Sequence, residues 1–410
     1  MKHARPKSKV AQIAKYVSWT LAAVLVLNVG NFGVQTILRA NSAHEDVGMA
    51  AADVGRDLGY GPLMALGENI YYGVINPAAV GGTPTSGAVF SKVVASPSAS
   101  AVATAAPATT QTVANNPAWG AAAGSSTPPS TIVSPAKSPL PKEGVWQPTK
   151  IVVNGQVAIE VTRIRPDSIH TSFLDTMVWM DPKLLAFQEV TGTLEPKGNF
   201  PHGSGKVPKK LKPFYVAGIN GGYKTVNMHG GFIYKGQTVI PMRPGGATLV
   251  TYPDGSIDIA GWGQDPVKPG YVSARQNLPM LVRDGKNLVA SNTDSQWGSL
   301  AAGTASGANL VWRSAIGIRA DGTVLHLVGP SLSQSDLADL MVRAGAVRAM
   351  CLDMNNGWAS SFLYGPYGFG VPVDPQIGRD PSRFLVSSTR DFLAVYAKSP
   401  AQPVAATKAK

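Results

Sequence analysis

The chain has 410 residues, 44% hydrophobic and 15% charged, with 44 glycines, 32 prolines and a formal net charge of +12. That apolar content excludes a wholly disordered chain, while the glycine and proline share marks low-complexity stretches beside a globular part. A polytopic transporter is excluded because only one stretch stays uncharged long enough to cross a bilayer, and a nucleic-acid partner because no basic patch with interleaved aromatics lies in the foldable part.

Residues 1–15 hold Lys2, Arg5, Lys7, Lys9 and Lys15 and no acid. The next charge is Arg39, so residues 16–38 form an uncharged segment built on Leu21-Ala-Ala-Val-Leu-Val-Leu27, long enough for a transmembrane helix. The positive-inside rule then leaves 1–15 as a cytoplasmic basic tail and makes 16–38 an uncleaved signal anchor of a single-pass cell-membrane protein, its C-terminal domain extracytoplasmic. A signal peptide cut near Ala40-Asn41-Ser42 is the alternative. A juxtamembrane segment over 44–80 reads as one or two short helices. Residues 81–143, rich in Ala, Ser, Thr and Pro with few charges, read as a disordered linker.

The folded domain is expected over 146–398, with a flexible tail at 399–410. Lys150–Val153 and Gln156–Ile164 flank Asn154-Gly155, a hairpin turn pair, and Asp254-Gly255, Asp284-Gly285 and Asp321-Gly322 mark further tight turns between apolar runs. Ser333 caps a helix with Asp336 three residues on; Leu337, Leu340, Met341 and Ala344 share one face, and Gly345 stops it. A strand over 347–352 then delivers Asp353. The fold class is α+β: a strand-rich, mostly antiparallel sheet domain with a few helices, preceded by one transmembrane helix and the linker.

The common catalytic motifs are absent, and the sequence names neither a cofactor nor a metal. Cys351, the single cysteine, reads as a buried strand residue; His170, His202, His229 and His326 are scattered and read as surface or structural residues. Asp353 differs from the other carboxylates, which turns and caps explain: it follows a buried strand and precedes the turn-prone Met354-Asn-Asn-Gly357. A structural Asp that accepts N–H bonds from its own loop is the alternative. Val216–Ile219 runs into Asn220-Gly221-Gly222-Tyr223, where glycines permit close backbone approach to a ligand. Arg313 heads a strand, where a guanidinium suits a phosphate or carboxylate.

Three blocks, Ala217-Gly-Ile-Asn-Gly-Gly-Tyr223, Arg313-Ser-Ala-Ile-Gly-Ile318 with Asp321-Gly322, and Ala349-Met-Cys-Leu-Asp353, resemble in that order the signature blocks of the phosphodiester glycosidase family. That family includes N-acetylglucosamine-1-phosphodiester alpha-N-acetylglucosaminidase. The likeness covers roughly 146–398, with supporting matches at Val178–Leu185 and Arg275-Gln-Asn-Leu278. The third block departs from the family's Leu-Asp-Gly-Gly-Gly-Ser and looks more like membrane-anchored bacterial relatives with Leu-Asp-x-Asn-x-x-Trp. The resemblance implies a hydrolase of glycosyl phosphodiesters in cell-envelope polysaccharide or glycolipid. Asp353 would be the acid, base or nucleophile, Arg313 would grip the phosphodiester, Asn220 and Asn355 would orient sugar hydroxyls, and Gly221 and Gly222 would line the site. A second carboxylate is expected for glycoside cleavage but is not evident. The rival reading is a non-catalytic envelope protein that binds a phosphorylated glycan in the same pocket.

Overall fold

A computed structural model describes residues 28–41, 47–70, 75, 78–84, 119–225, 230–289, 310–354, 357–368 and 370–399. The chain divides into two units, Met1–Gly67 and Glu68–Lys410.

In the first unit, residues 28–41 form helix α1, followed by α2 (Val47–Asp57) and α3 (Gly61–Ile70). The two short helices expected over 44–80 are thus present, but the transmembrane helix over 16–38 is overturned. No helix among the described residues is long and apolar enough to cross a membrane. Residues 16–27 of that expected span lie outside the described residues, and the remainder carries polar side chains and ends at a charge. Gln35 Nε2 donates to Asn31 Oδ1 (3.0 Å), Thr36 Oγ1 donates to Phe32 O (2.8 Å), and Arg39 pairs with Asp57 of α2 at 2.8 Å. The tails expected at 1–15 and beyond Ser399 are also outside the described residues.

The strands of the second unit are, in chain order, β1 (Gln147–Pro148), β2 (Val152–Val153), β3 (Gln156–Val157), β4 (Ile159–Ile164), β5 (Asp175–Met180), β6 (Leu185–Val190), β7 (Tyr215–Asn220), β8 (Phe232–Tyr234), β9 (Gln237–Ile240) and β10 (Gly246–Thr251). They continue with β11 (Ile257–Gly261), β12 (Ser273–Arg283), β13 (Lys286–Asn287), β14 (Val311–Arg319), β15 (Val324–Leu332), β16 (Ala346–Met354), β17 (Ser361–Leu363), β18 (Val371–Pro372) and β19 (Phe392–Ala397). Among the described residues the larger sheet has the order β1-β4-β5-β15-β14-β16-β12-β10-β11, with β8, β9 and β13 attached beside β12; the smaller has the order β18-β17-β7-β19-β6. The pairings are antiparallel, as the turn-rich sequence requires. Asn154-Gly155 and Asp284-Gly285 both adopt positive φ at their two residues, the condition for a two-residue hairpin.

Alternation along the central strands explains why they read as continuous apolar runs. Ile316, Val328, Met350 and Leu352 face the smaller sheet and pack with Phe187, Ile219 and Val395, whereas Ala315, Leu327 and Cys351 face the opposite way. Helix α4 (Gln334–Arg343) covers that second face with Leu337, Leu340 and Met341, all fully buried. Its start carries the expected capping box, with Ser333 Oγ accepting from the Asp336 N–H at 3.0 Å. Burying each such leucine contributes about 1.5–3 kcal/mol.

The packed region begins earlier than Trp146. Of the expected linker, residues 85–118 lie outside the described residues, but Trp119 stacks on Tyr396 (4.8 Å between centroids) and Ile132 is buried against the α4 side of the sheet. Glu143 fastens this segment: its carboxylate accepts from Arg165 Nη2 (2.8 Å), Ser134 Oγ (2.6 Å) and the Leu140 N–H (2.8 Å). Burial pushes its carboxyl pKa up, but these bonds outweigh burial and hold it below the usual range. Stability from this carboxylate is therefore present above the ordinary glutamate range and lost as pH falls through the lowered value. Glu143→Gln should cost about 3 kcal/mol at pH 7, the scale for breaking a buried pair. Denaturant titrations at several pH values should show the gap to the parent closing below about pH 4.

Candidate active site

The three sequence blocks converge because strand direction brings them to one rim of the sandwich. The C-terminal ends of β7 and β16 meet the N-terminal ends of β14, β17 and β19 there: Asn220 is opposite Phe392, Ile219 opposite Ser361, and Met354 opposite Arg313. Hydrogen bonds then tie one sheet to the other. The Asp353 N–H donates to Gly221 O (3.2 Å), Asn220 Nδ2 donates to Ser314 Oγ (2.9 Å), and Ser314 Oγ donates to Asp353 O (2.9 Å).

Asp353 is 5% exposed and is held from two sides. Its Oδ1 accepts the Met354 N–H at 2.8 Å, and its Oδ2 forms an ion pair with Arg390 Nη2. Arg390 Nη2 also donates to Gly222 O (3.0 Å), so one guanidinium joins the third block to the first. The Arg390 carbon Cζ lies 4.6 Å from the centre of the Trp358 ring, and Arg383 and Arg379 approach the same ring at 4.7 and 5.1 Å. Three cations around one indole beside Asp353 make this wall strongly positive, a setting suited to an anion.

The glycines of the first block are required by packing. A Cβ on Gly221 would stand 2.7 Å from Asp391 O, and one on Gly222 would stand 3.2 Å from the Asn277 side chain. Asn277 in turn donates to Cys351 O (2.5 Å), and Arg275 Nη2 donates to Tyr223 O (2.6 Å), so β12 supports the turn from below. The match at Arg275-Gln-Asn-Leu278 therefore falls on residues that hold the site.

Two expected binding residues are corrected. Arg313 is fully buried and does not face the rim: its Nε donates to Leu332 O (2.7 Å), Nη1 approaches Met354 Sδ (3.7 Å), and the Gln334 amide oxygen, turned toward it, accepts from Nη2 at 2.9 Å. It anchors the start of α4 and cannot grip a phosphodiester. Asn220 is 1% exposed and spends its amide on Ser314, Gly221 O and the Ser360 N–H (3.0 Å), so it holds the turn rather than a sugar hydroxyl. Asn355 lies outside the described residues. His326 is buried between the sheets: Ala315 O accepts from Nδ1 (2.9 Å), Nε2 meets Ser361 Oγ (3.0 Å), and burial lowers its pKa to about 4. Burial pushes the Cys351 thiol up to about 12, which leaves it inert. Among the described residues no three His, Cys, Asp or Glu gather as a metal site.

Sequence reasoning missed Arg379, Arg383 and Arg390, although three arginines within the stretch 379–390 were a visible signal. It also missed Glu189 and Asp391. These two buried carboxyl groups lie under Gly221 with Arg275, whose Nε donates to Asp391 Oδ2 at 3.1 Å.

Residues 214–373 match the family model of the phosphodiester glycosidases, and this segment, which spans all three blocks, carries that family's domain. The match supports a glycosidase. No curated protein matches the chain. Among solved structures, a hypothetical protein from Synechocystis aligns at 12% identity and a TM-score of 0.39 over 60% of this chain; this chain spans 63% of that protein. The catalytic domain of zebrafish N-acetylglucosamine-1-phosphodiester alpha-N-acetylglucosaminidase, auto-inhibited by its pro-peptide, aligns at 15% identity and a TM-score of 0.36, over 62% of this chain and 87% of that one.

Because Arg313 is structural, Arg313→Lys should act on stability. Lysine keeps the charge but cannot reach Leu332 O and Gln334 together, so unfolding free energy should fall by about 2–4 kcal/mol. Thermal melts should show the loss, and ligand affinity of the folded fraction should match the parent.

Proposed function

We propose that the protein hydrolyses the bond between a sugar's anomeric carbon and a phosphodiester. The observation that carries this reading is the Asp353–Arg390 pair at the rim, set between the Gly221-Gly222 backbone and the arginine-lined face of Trp358. Arg390 keeps Asp353 ionised, so the carboxylate takes the proton of the attacking water, while the guanidinium wall balances charge on the departing phosphate. Gly221 and Gly222 let the backbone come close to the sugar. Five basic residues ahead of an uncharged apolar stretch support delivery of the domain beyond the cytoplasm, where cell-envelope polysaccharide or glycolipid offers this substrate class.

The test compares parent, Asp353→Asn and Arg390→Lys on a sugar-1-phosphodiester, with melting temperatures measured alongside. Asp353→Asn should lower kcat by about 100-fold or more while the fold persists. Arg390→Lys should lower it by a comparable factor, because lysine cannot bond Gly222 O and Asp353 together from a planar fork. Unchanged turnover in Asp353→Asn would remove its catalytic role. A parent that binds glycan phosphates tightly yet never cleaves them would make the domain a binding protein.

A further inference from the structure

Glu189 and Asp391 form a carboxyl pair that nothing in the sequence announced. Glu189 ends strand β6 beside Leu393 of β19, and Asp391 immediately precedes β19. The side chains of both are buried, at 7% and 1% exposure. Glu189 Oε1 and Asp391 Oδ1 meet no N–H or O–H donor among the described residues. Two carboxylates with oxygens so placed would both be desolvated beside a like charge, and such a pair holds a proton instead. The groups facing it fix where that proton sits. Arg275 of β12 pairs with Asp391 through Nε and spends Nη1 on Gln276 O (2.7 Å) and Nη2 on Tyr223 O. Arg390 of the neighbouring loop turns to Asp353 of β16, and β7 contributes the neutral Asn220. Asp391 is therefore the ionised partner and Glu189 the protonated one. Burial and the Asp391 charge raise the Glu189 pKa well above the usual range.

Glu189 also lines a cavity of about 10 Å³, near the lower limit for one water, whose other walls include Gly221, Gly222 and Asn277. The cavity places its carboxyl group under the glycine turn on whose far side Asp353 stands.

We propose that Glu189 and Asp391 share one proton and that Glu189 is the second carboxyl group of the site, the donor to the departing phosphate oxygen. This rests on the hydrolase reading above. As the C–O bond to phosphate breaks, its electron pair stays on the phosphate oxygen, which takes the Glu189 proton. Water forms the new bond to the anomeric carbon and gives its proton to Asp353. Proton exchange with solvent restores both groups.

The proton is tested without reference to catalysis. A glutamate that stays protonated when folded but ionises when unfolded makes the native state less stable as pH rises from about 4.3. Glu189→Gln keeps a neutral side chain of the same shape and abolishes this cost, so its melting temperature relative to the parent should rise steadily between pH 4.5 and 8. The parent at pH 7 should show the infrared carbonyl band of a protonated carboxyl that Glu189→Gln lacks. Asp391→Asn, which removes the neighbouring charge, should lose that band as well, and it serves if Glu189→Gln does not fold. A pH-independent melting difference together with no band would overturn the proposal.

Hydrolysis tests the role of the proton. Because phosphate is a good leaving group, Glu189→Gln should lower kcat by about 100-fold, the low end for a general acid, and should erase the fall in rate that the parent shows at high pH. An unchanged profile in a variant of an active parent would overturn the donor role and leave Asp353 and Arg390 as they stand. A parent without activity would remove the hydrolase reading and the donor role together, and the melting and infrared results would still decide the shared proton.

Discussion

The site depends on one buried ion pair. Arg390 precedes the smaller sheet's β19, Asp353 lies near the end of the larger sheet's β16, and their contact, with Arg390 also bonded to Gly222 O, closes the rim where the two sheets meet. A buried pair of this kind is weak evidence for stability, since desolvating both charges costs about as much as their attraction returns. Its value is in position. It fixes a carboxylate, a guanidinium and a glycine backbone within hydrogen-bond reach of one another, at a place where side chains would otherwise close the gap. The Trp358 ring and the two further arginines build outward from the same contact.

The larger sheet is buried on both faces, which decides much else. Strands β14, β15 and β16 need apolar side chains on either side, so polar groups can survive only at strand ends, where a hydrogen bond or an ion pair receives them. Asn220, Ser314, Asp353 and Arg313 are such end residues. Their shared position explains why they occur together in the sequence blocks, and their different partners explain why they do different work. Arg313 turns toward α4, whereas Asp353 turns toward the smaller sheet.

Features that depend on neighbours in sequence were legible before the structure. The Asn154-Gly155 turn, the Ser333 capping box, the strand that delivers Asp353 and the antiparallel strand-rich class all follow from local pattern. Sheet order did not, because nothing local says that β16 lies between β14 and β12. The site was half legible: Asp353, Gly221 and Gly222 meet as expected, but Arg390, Glu189 and Asp391 arrive through cross-strand pairing of β19 with β6 and β7. Two misreadings share one cause, that composition cannot report a tertiary partner. The uncharged run ending at Leu38 ignored the Arg39–Asp57 pair. The Ala, Ser, Thr and Pro stretch ignored the surface that receives Trp119 and Ile132.

The central claim is that phosphate and sugar meet at the Asp353–Arg390 rim. A crystal structure of the protein with a non-cleavable glycosyl phosphonate addresses it directly. The account predicts the phosphonate within hydrogen-bond distance of the Arg390 guanidinium, on the Trp358 side, with the sugar against Gly221 and Gly222 and its anomeric carbon toward Asp353. A phosphonate bound elsewhere on the domain, with this rim closed and unchanged, would contradict it.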